Sequence, residues 1–433
     1  MIRSTLLVAV VLAGTAFGEP SGWKFQKGKP GMPAVLLIHG LAASRGHWVS
    51  PADTWSIKNG HFKHWKKPKT KTGHADALHL KVKYAVKDLK LSPVDPHADE
   101  DGSFWKYLVD KGYTVATWNQ VPCMDTKKTP SQECLDSDVF DTAYPTAKDA
   151  LAYLATQTTE DIALVAHSRG GVIARMLLAE TDAALPAVTR VKWVITLHTP
   201  HHGSSMAGKG NDFQKAVASP LSKADLSALP NVIEKPVKDF LGKLDNPLGN
   251  AIDALVVLTG LKGAKELDEK DPHYAKLIAS EKKRAGVKFY TFGGTSPRLA
   301  KVYVRYYSDG GRDWTLSPAQ LLDFPGDLKV PFDEVRSGGD LLVTDTSSQL
   351  KSLEDEHFSN DLNHAEVLWN RDVQEQVNQL LARPFPKGTP PPVLSMPAPR
   401  PRAVAGAADR DDPSDDDANE PDDDPADAGA GAK

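Results

Sequence analysis

The sequence contains no apolar run long enough to cross a bilayer. A membrane-spanning helix needs about 20 apolar residues, and the longest such run, at residues 6–13, is much shorter. Because Arg3 precedes this run and small residues follow it, residues 1–18 have the features of a secretion signal cleaved after Gly18. No cysteine lies near that point, which argues against a lipid anchor. We therefore expect a secreted protein, extracellular or periplasmic.

Cysteine is also scarce, since the 433 residues include only Cys123 and Cys134. In an oxidising compartment so close a pair most simply forms one local disulfide, which would close a short loop. The sequence also lacks an Asn-x-Ser/Thr acceptor, so it offers no glycosylation argument for a eukaryotic secretory route.

Charge is distributed unevenly along the chain. The formal net charge is −4, but residues 409–433 carry eleven acidic and two basic side chains, so the remainder is mildly basic. Residues 383–433 are first Pro-rich and then acidic, with almost nothing apolar to bury, and this composition predicts a disordered tail. The 40% hydrophobic content suffices for a folded core, which we assign to one domain at residues 19–382.

Short apolar runs alternate with helix-like segments, and this alternation is typical of an α/β fold with a mostly parallel sheet between helices. The predicted strands are 34–38, 113–118, 162–166, 191–197 and 287–292. The predicted helices are 103–111, 146–156, 170–180 and 365–381. Two insertions interrupt the pattern, one at about 48–101 and a mostly helical one at about 206–283.

The most informative motif is LVAHSRGGVI, in which an apolar strand enters a turn of small residues and a helix follows. Small residues at positions 166 and 170 allow the strand and helix to approach closely, so Ser168 is held on a strained turn with its hydroxyl exposed. Ala166 replaces the glycine that usually opens this pattern. The motif predicts that Ser168 is a nucleophile.

A second motif, AVLLIHGLAA, is an apolar strand that ends in His-Gly. Acyl transfer at a serine produces an oxyanion, and preorganised N–H donors stabilise it. The backbone N–H groups of Leu41 and Arg169 are the candidates for this oxyanion hole.

The sequence at this point resembles the lipase and esterase branch of the α/β-hydrolase fold family, over roughly residues 30–382 without the two insertions. Four segments carry the resemblance: VLLIHGLAAS, LVAHSRGGVIAR, ITLHTPHHGSS, and GGDLLVTDTSS followed by NHAEVLWN. It implies the chain order Ser, acid, His, and it places Asp340 as the acid and His364 as the base. Asp309 and Asp345 remain alternative acids, because Asp340 comes nearly fifty residues after the last predicted strand. His357 is the alternative base.

Metal binding is not expected. His198, His201 and His202 lie close together in the sequence, but no cysteine or neighbouring carboxylate completes a ligand set, and a serine triad needs neither metal nor cofactor. His61 and His64 lie in a Lys-rich, aromatic part of the first insertion, which we interpret as a solvated loop. We expect no nucleic-acid partner.

The combined prediction is a secreted serine ester hydrolase, either a lipase or an esterase, that uses Ser168, His364 and Asp340. The apolar stretch at residues 251–261 is a candidate lid or acyl pocket, so we expect a hydrophobic acyl chain and transient contact with a lipid interface. An acyltransferase with the same triad and a non-catalytic binding protein remain alternatives.

Overall fold

The computed structural model describes residues 18–50, 84–92, 102–121, 137–209, 260–274, 284, 286–297, 301–308, 314–316, 334, 338–350 and 356–383, with the backbone alone for 84–92, 301–308 and 314–316. Several predictions concern residues outside these ranges. They are the secretion signal, the loop with His61 and His64, the disulfide between Cys123 and Cys134, the stretch 251–258, the alternative acid Asp309 and the tail beyond residue 383.

A seven-stranded sheet forms the centre of the fold. Its strands are β1 (Lys24–Gln26), β2 (Ala34–Ile38), β4 (Thr114–Thr117), β5 (Ile162–His167), β6 (Val191–Leu197), β7 (Lys288–Gly294) and β10 (Glu356–Asn360). Their order is β1-β4-β2-β5-β6-β7-β10. Only β1 pairs antiparallel, and every other neighbour is parallel. The carboxyl ends of the parallel strands therefore lie along one edge of the sheet.

Helices cover both faces of this sheet. They are α1 (Gly46–Val49), α2 (Phe104–Lys111), α3 (Tyr144–Gln157), α4 (Arg169–Ala179), α5 (Lys262–Lys265) and α6 (Arg371–Ala382). The helices α3 and α4 pack on one face of the sheet, and α2 and α6 pack on the other. Because both faces are covered, strands such as β2 and β5 are buried along their whole length, which explains their unbroken apolar sequence. None of the described helices is long and apolar enough to span a membrane.

A separate three-stranded antiparallel sheet consists of β3 (Tyr84–Ser92), β8 (Lys301–Ser308) and β9 (Trp314–Leu316), in the order β3-β8-β9. The sequence analysis did not predict this sheet. It joins part of the first predicted insertion to the segment that follows β7.

The five predicted strands and the first three predicted helices are confirmed, with small differences at their ends. The last predicted helix is wrong at its start. Residues Glu366–Leu368 form one 3₁₀ turn, and the helix begins only at Arg371, where the Asn370 side chain accepts the Val373 N–H. This side chain caps the new helix and separates it from the turn before it. The edge strands β1 and β10 were not predicted.

Candidate active site

Ser168 lies on a sharp turn between β5 and α4 at the carboxyl edge of the sheet. Its backbone φ is +56°, a value uncommon for any residue other than glycine. Gly170 makes the turn possible, because a Cβ at this position would lie 2.5 Å from the Ile38 carbonyl oxygen. The close approach of strand and helix that the sequence predicted is therefore present, and it holds a strained serine at the apex.

Asp340 and His364 form a buried pair. His364 Nδ1 donates to Asp340 Oδ2 over 2.7 Å, and the His364 backbone N–H donates to the Asp340 carbonyl over 3.1 Å. The other carboxylate oxygen, Oδ1, accepts the N–H groups of Leu342 (3.0 Å) and Val343 (2.7 Å). Burial alone would raise the pKa of Asp340, but His364 and His198 outweigh it and hold that pKa well below its usual range.

The pair lies near the end of β7 although Asp340 comes much later in the chain. A Cβ on Gly294, the last residue of β7, would lie 2.7 Å from the Asp340 Cβ. The loop at residues 338–348 therefore returns to the strand after which the sequence analysis expected the acid.

One cleft contains both Ser168 and His364. It encloses about 590 Å³ of space that is partly open to solvent, and most of its surface is apolar. Its other lining residues are Gly40, Leu41, His47, His167, Pro200, Ser204, Ala207, Ala264, Leu267, Leu342 and Val343. A serine on a strained turn and an imidazole that is hydrogen-bonded to a carboxylate thus lie at one apolar site.

One known family matches the part of the chain around the serine turn. The sequence model of a family described as a PGAP1-like alpha/beta domain matches residues 147–233, which include β5, Ser168, α4 and β6. The chain has an α/β-hydrolase fold. No curated protein matches it.

Several solved structures of proteins that are named as lipases or esterases are similar to this chain. The mature form of the lipase BlEst2 from Bacillus licheniformis is 16% identical, with a TM-score of 0.43 and coverage of 84% of this chain and 99% of that chain. A lipase-esterase related protein from Clostridium acetobutylicum is 12% identical, with a TM-score of 0.38 and coverage of 82% and 98%.

In this α/β-hydrolase fold the turn after β2 faces the serine turn. Leu41 lines the cleft next to Gly40, and a Cβ on Gly40 would lie 2.8 Å from the Ser168 Cβ. Arg169 is the first residue of α4, so its N–H is one of the helix-end groups that have no intrahelical acceptor. Arg169 thus directly follows Ser168, and Leu41 lines the same cleft beside the Gly40 that approaches Ser168.

Buried side chains connect these two turns, and the sequence analysis missed them. The Arg169 guanidinium donates to the Ser137 carbonyl (2.6 Å) and to Gln120 Oε1 (2.7 Å). The Gln120 side chain donates to the His39 carbonyl over 2.6 Å, and the Gln120 backbone N–H donates to His39 Nε2 over 3.1 Å. His39 Nδ1 in turn donates to the Gly40 carbonyl over 3.0 Å. Burial lowers the pKa of His39 to about 3, so the ring that supports Gly40 is neutral.

The alternative acid and base contact each other and not the cleft. His357 Nε2 donates to Asp345 Oδ1 over 3.0 Å, and His357 Nδ1 lies 2.8 Å from the Thr291 hydroxyl. The Ser359 hydroxyl donates to Asp345 Oδ2 over 2.8 Å. Neither Asp345 nor His357 is among the residues that line the cleft. This second pair connects the loop at residues 338–348 to β10.

The three histidines that were considered as metal ligands have different surroundings. His198 faces Asp340, whereas His201 contacts the Arg175 guanidinium (3.1 Å) and the Thr196 hydroxyl (2.8 Å), and His202 is exposed. The set that converges is instead His198, Asp340 and His364, whose ligand atoms lie within 4.8 Å of one another. Asp340 Oδ2 lies 2.7 Å from His364 Nδ1 and 2.8 Å from His198 Nδ1. Both distances are within the range of N–H···O contacts.

Proposed function

We propose that the protein is a serine ester hydrolase in which Ser168, His364 and Asp340 form the catalytic triad. The observation that carries this proposal is the shared cleft. It is lined by a serine with positive φ and by a histidine whose Nδ1 donates to a buried carboxylate. This constellation is the one that activates a serine hydroxyl for acyl transfer.

The proposed reaction assigns one role to each group. Because Nδ1 of His364 carries the proton that faces Asp340, Nε2 is the atom that accepts the Ser168 proton as Oγ attacks the ester carbonyl. The N–H groups of Leu41 and Arg169 stabilise the oxyanion. His364 then protonates the leaving alcohol, and a water molecule activated by the same Nε2 releases the acid from the acyl-enzyme.

The walls of the cleft favour an ester with a hydrophobic acyl chain. Apolar side chains from four parts of the chain line the space beside Ser168, among them Leu41, Ala207, Leu267 and Val343. An acyl chain placed there would bury apolar surface of the chain and of the protein. This burial favours binding by about 25 cal/mol per Å² of buried apolar surface. The segment at 260–267, within the second predicted insertion, provides one of these walls.

Hydrolysis of an acyl ester series, from acetyl to palmitoyl, tests the function. We expect activity that increases with acyl length before it levels off, and a loss in Ser168→Ala of about 10⁶-fold in kcat or to below detection. Thermal unfolding of the variant serves as its control. A maximum at acetyl would indicate an esterase with a short acyl site. Equal turnover by wild type and Ser168→Ala would reject the proposal.

We also propose that the protein is secreted after cleavage following Gly18 and that Cys123 pairs with Cys134. The first depends on the signal-like composition of residues 1–18, and the second on the close spacing of the only two cysteines. Amino-terminal sequencing of the exported protein and non-reducing peptide mapping test the two points. Exported protein that still carries residues 1–18 would contradict the first point. Two cysteine thiols that react with an alkylating agent would contradict the second.

A further inference from the structure

His198 lies near the proposed triad and has no role in the reaction proposed above. It follows β6, it is fully buried, and its backbone φ is +49°, in the left-handed region that glycine and asparagine occupy more readily than histidine. It is not among the residues that line the cleft with Ser168 and His364. A buried histidine in an uncommon backbone conformation needs a specific contact to explain it.

That contact is with the carboxylate of Asp340. His198 Nδ1 lies 2.8 Å from Asp340 Oδ2, the same oxygen that accepts His364 Nδ1 over 2.7 Å. The contact is close, but it lacks the alignment of a full hydrogen bond. Asp340 Oδ2 is therefore held between two imidazoles, while Oδ1 is held by two backbone N–H groups.

The other ring nitrogen determines where the proton of His198 lies. Nε2 is 3.2 Å from Asn360 Oδ1, and the Asn360 amide nitrogen is buried with no partner among the described residues. If the amide is oriented as found, Nε2 donates to Asn360 Oδ1 and the amide NH₂ stays buried without an acceptor in the described part of the chain. If the amide is turned by half a rotation, its NH₂ donates to Nε2 and the single ring proton lies on Nδ1. The turned amide gives its buried NH₂ an acceptor, and it puts the ring proton between Nδ1 and Asp340.

The surrounding backbone is shaped to admit this ring. A Cβ on Gly294 would lie 2.4 Å from His198 Cε1 and 2.7 Å from the Asp340 Cβ, so any side chain there would displace one of the two. The His198 N–H donates to the Phe292 carbonyl over 2.8 Å, which ties the residue to β7. The ends of β6 and β7 thus meet at one carboxylate.

We propose that His198 is a positioning residue that fixes the Asp340 carboxylate for its hydrogen bond with His364. This inference rests on the proposed function, because it assigns a role to a group behind the triad. The His198 ring N–H faces Oδ2 at 2.8 Å, and this close electrostatic contact restricts rotation of the carboxylate and thereby the orientation of the His364 ring.

Two substitutions separate the donor from the ring. His198→Asn keeps an N–H donor at the position of Nδ1 and suits positive φ, whereas His198→Gly suits the backbone but removes the donor. We expect kcat for acyl ester hydrolysis to fall by about 10- to 100-fold in His198→Gly, the size of effect that a small misplacement of catalytic groups produces. We expect KM to stay within about twofold and most of the lost kcat to return in His198→Asn.

Three outcomes would overturn the inference. Unchanged kcat in His198→Gly would show that the donor is not needed. Equal losses in both variants would show that the ring matters for packing and not for its Nδ1 proton. A raised KM with unchanged kcat would place the effect on substrate binding. Thermal unfolding of each variant identifies losses that come from instability.

A second readout is independent of turnover and separates failure of this inference from failure of the proposed function. Proton NMR of the full chain, with ¹⁵N-labelled histidine, should show downfield Nδ1–H signals from His198 and His364, because both protons face an ionised carboxylate. In His198→Gly we expect one signal to vanish and the His364 signal to shift. If wild type hydrolyses no ester but these NMR changes occur, the function fails and the positioning contact stands. An unchanged His364 signal would overturn the contact itself.

Discussion

His167 Nε2 donates a 2.8 Å hydrogen bond to the backbone carbonyl of His364. The first residue immediately precedes Ser168 and the second is the proposed base, and their rings lie 4.8 Å apart. Burial lowers the pKa of His167 well below its usual range, so the ring is a neutral donor. The serine turn and the loop that carries the base are therefore joined directly, although they are almost two hundred residues apart in sequence.

Without the His167 donor, we expect His364 to be held less firmly in its position. His167→Phe keeps a ring of similar size but leaves the His364 carbonyl buried without its partner, which costs about 1–3 kcal/mol. We expect a lower unfolding temperature and a kcat reduced by about tenfold. In the control variant His167→Gln, the side-chain amide can donate to the same carbonyl, and it should recover part of both losses. Two variants that match wild type in kcat would refute this role.

The close approach of β2 and α4 at Gly170 should tolerate no side chain. In Gly170→Ala the new Cβ would meet the backbone oxygens of Ile38 at 2.5 Å and His39 at 2.8 Å, and backbone atoms cannot rotate away. We expect a loss of at least about 3 kcal/mol in the free energy of unfolding, the upper part of the range for overpacking. Gly260→Ala is the matched control, because a Cβ at that position has open space around it. Equal stability of the two variants would contradict the packing described for the turn.

The two Asp–His pairs should respond differently to the same substitution. Asp340→Asn removes the acceptor that fixes the His364 tautomer, and we expect kcat to fall by about 10⁴-fold, the loss measured for this substitution in a serine protease triad. Asp345→Asn breaks the contact with His357 outside the cleft, and we expect kcat within about threefold of wild type. If Asp345→Asn lost most of its kcat while Asp340→Asn stayed active, the acid of the triad would be Asp345 and not Asp340.

Stability is expected to decrease as the pH falls below about 6.5. Burial lowers the pKa of His39, His47, His167 and His201 in the folded protein, so the unfolded chain binds more protons than the folded one below the ordinary pKa of histidine. Each such group then lowers the free energy of unfolding by about 1.4 kcal/mol for every unit that the pH falls. For His39 this loss continues down to a pH of about 3. The low pKa of Asp340 adds a further loss below about pH 4.

Urea unfolding at a series of pH values measures this dependence. We expect the free energy of unfolding to decline more steeply between pH 6 and pH 4 than between pH 8 and pH 7. His39→Asn should be less stable at neutral pH, because it loses the acceptor for the Gln120 N–H, and its acid decline should be shallower. A flat profile from pH 7 to pH 4 would contradict the neutral, buried histidines.

The sequence predicts the centre of the sheet well because these strands are buried on both faces. Each reads as an unbroken apolar run, as in Ala34–Ile38, and the serine turn adds a specific pattern of small residues. The edge strand Glu356–Asn360 has only one apolar residue, so neither an apolar run nor an alternation marks it. The late start of the last helix follows from Asn370, whose capping role is visible only once the backbone direction is known.

The site was predictable in its residue types and less so in its contacts. Asp340 and Asp345 lie five residues apart in one loop, and only the fold shows that the first faces His364 and the second faces His357. His198 gave no signal for its contact with Asp340, because the two residues are far apart in sequence. Gln120 was missed for the same reason, since it links Arg169 to His39 across three separate segments.

Covalent modification by a fluorophosphonate tests the central claim most directly, because it needs no knowledge of the natural ester. The full chain is treated with the probe, digested and mapped by mass spectrometry, beside Ser168→Ala and Asp340→Asn. We predict one adduct on Ser168 of the wild type, none in Ser168→Ala, and much slower labelling in Asp340→Asn. A folded wild-type protein that stays unlabelled, or that carries its adduct on another residue, would contradict the assignment of Ser168 as an activated nucleophile.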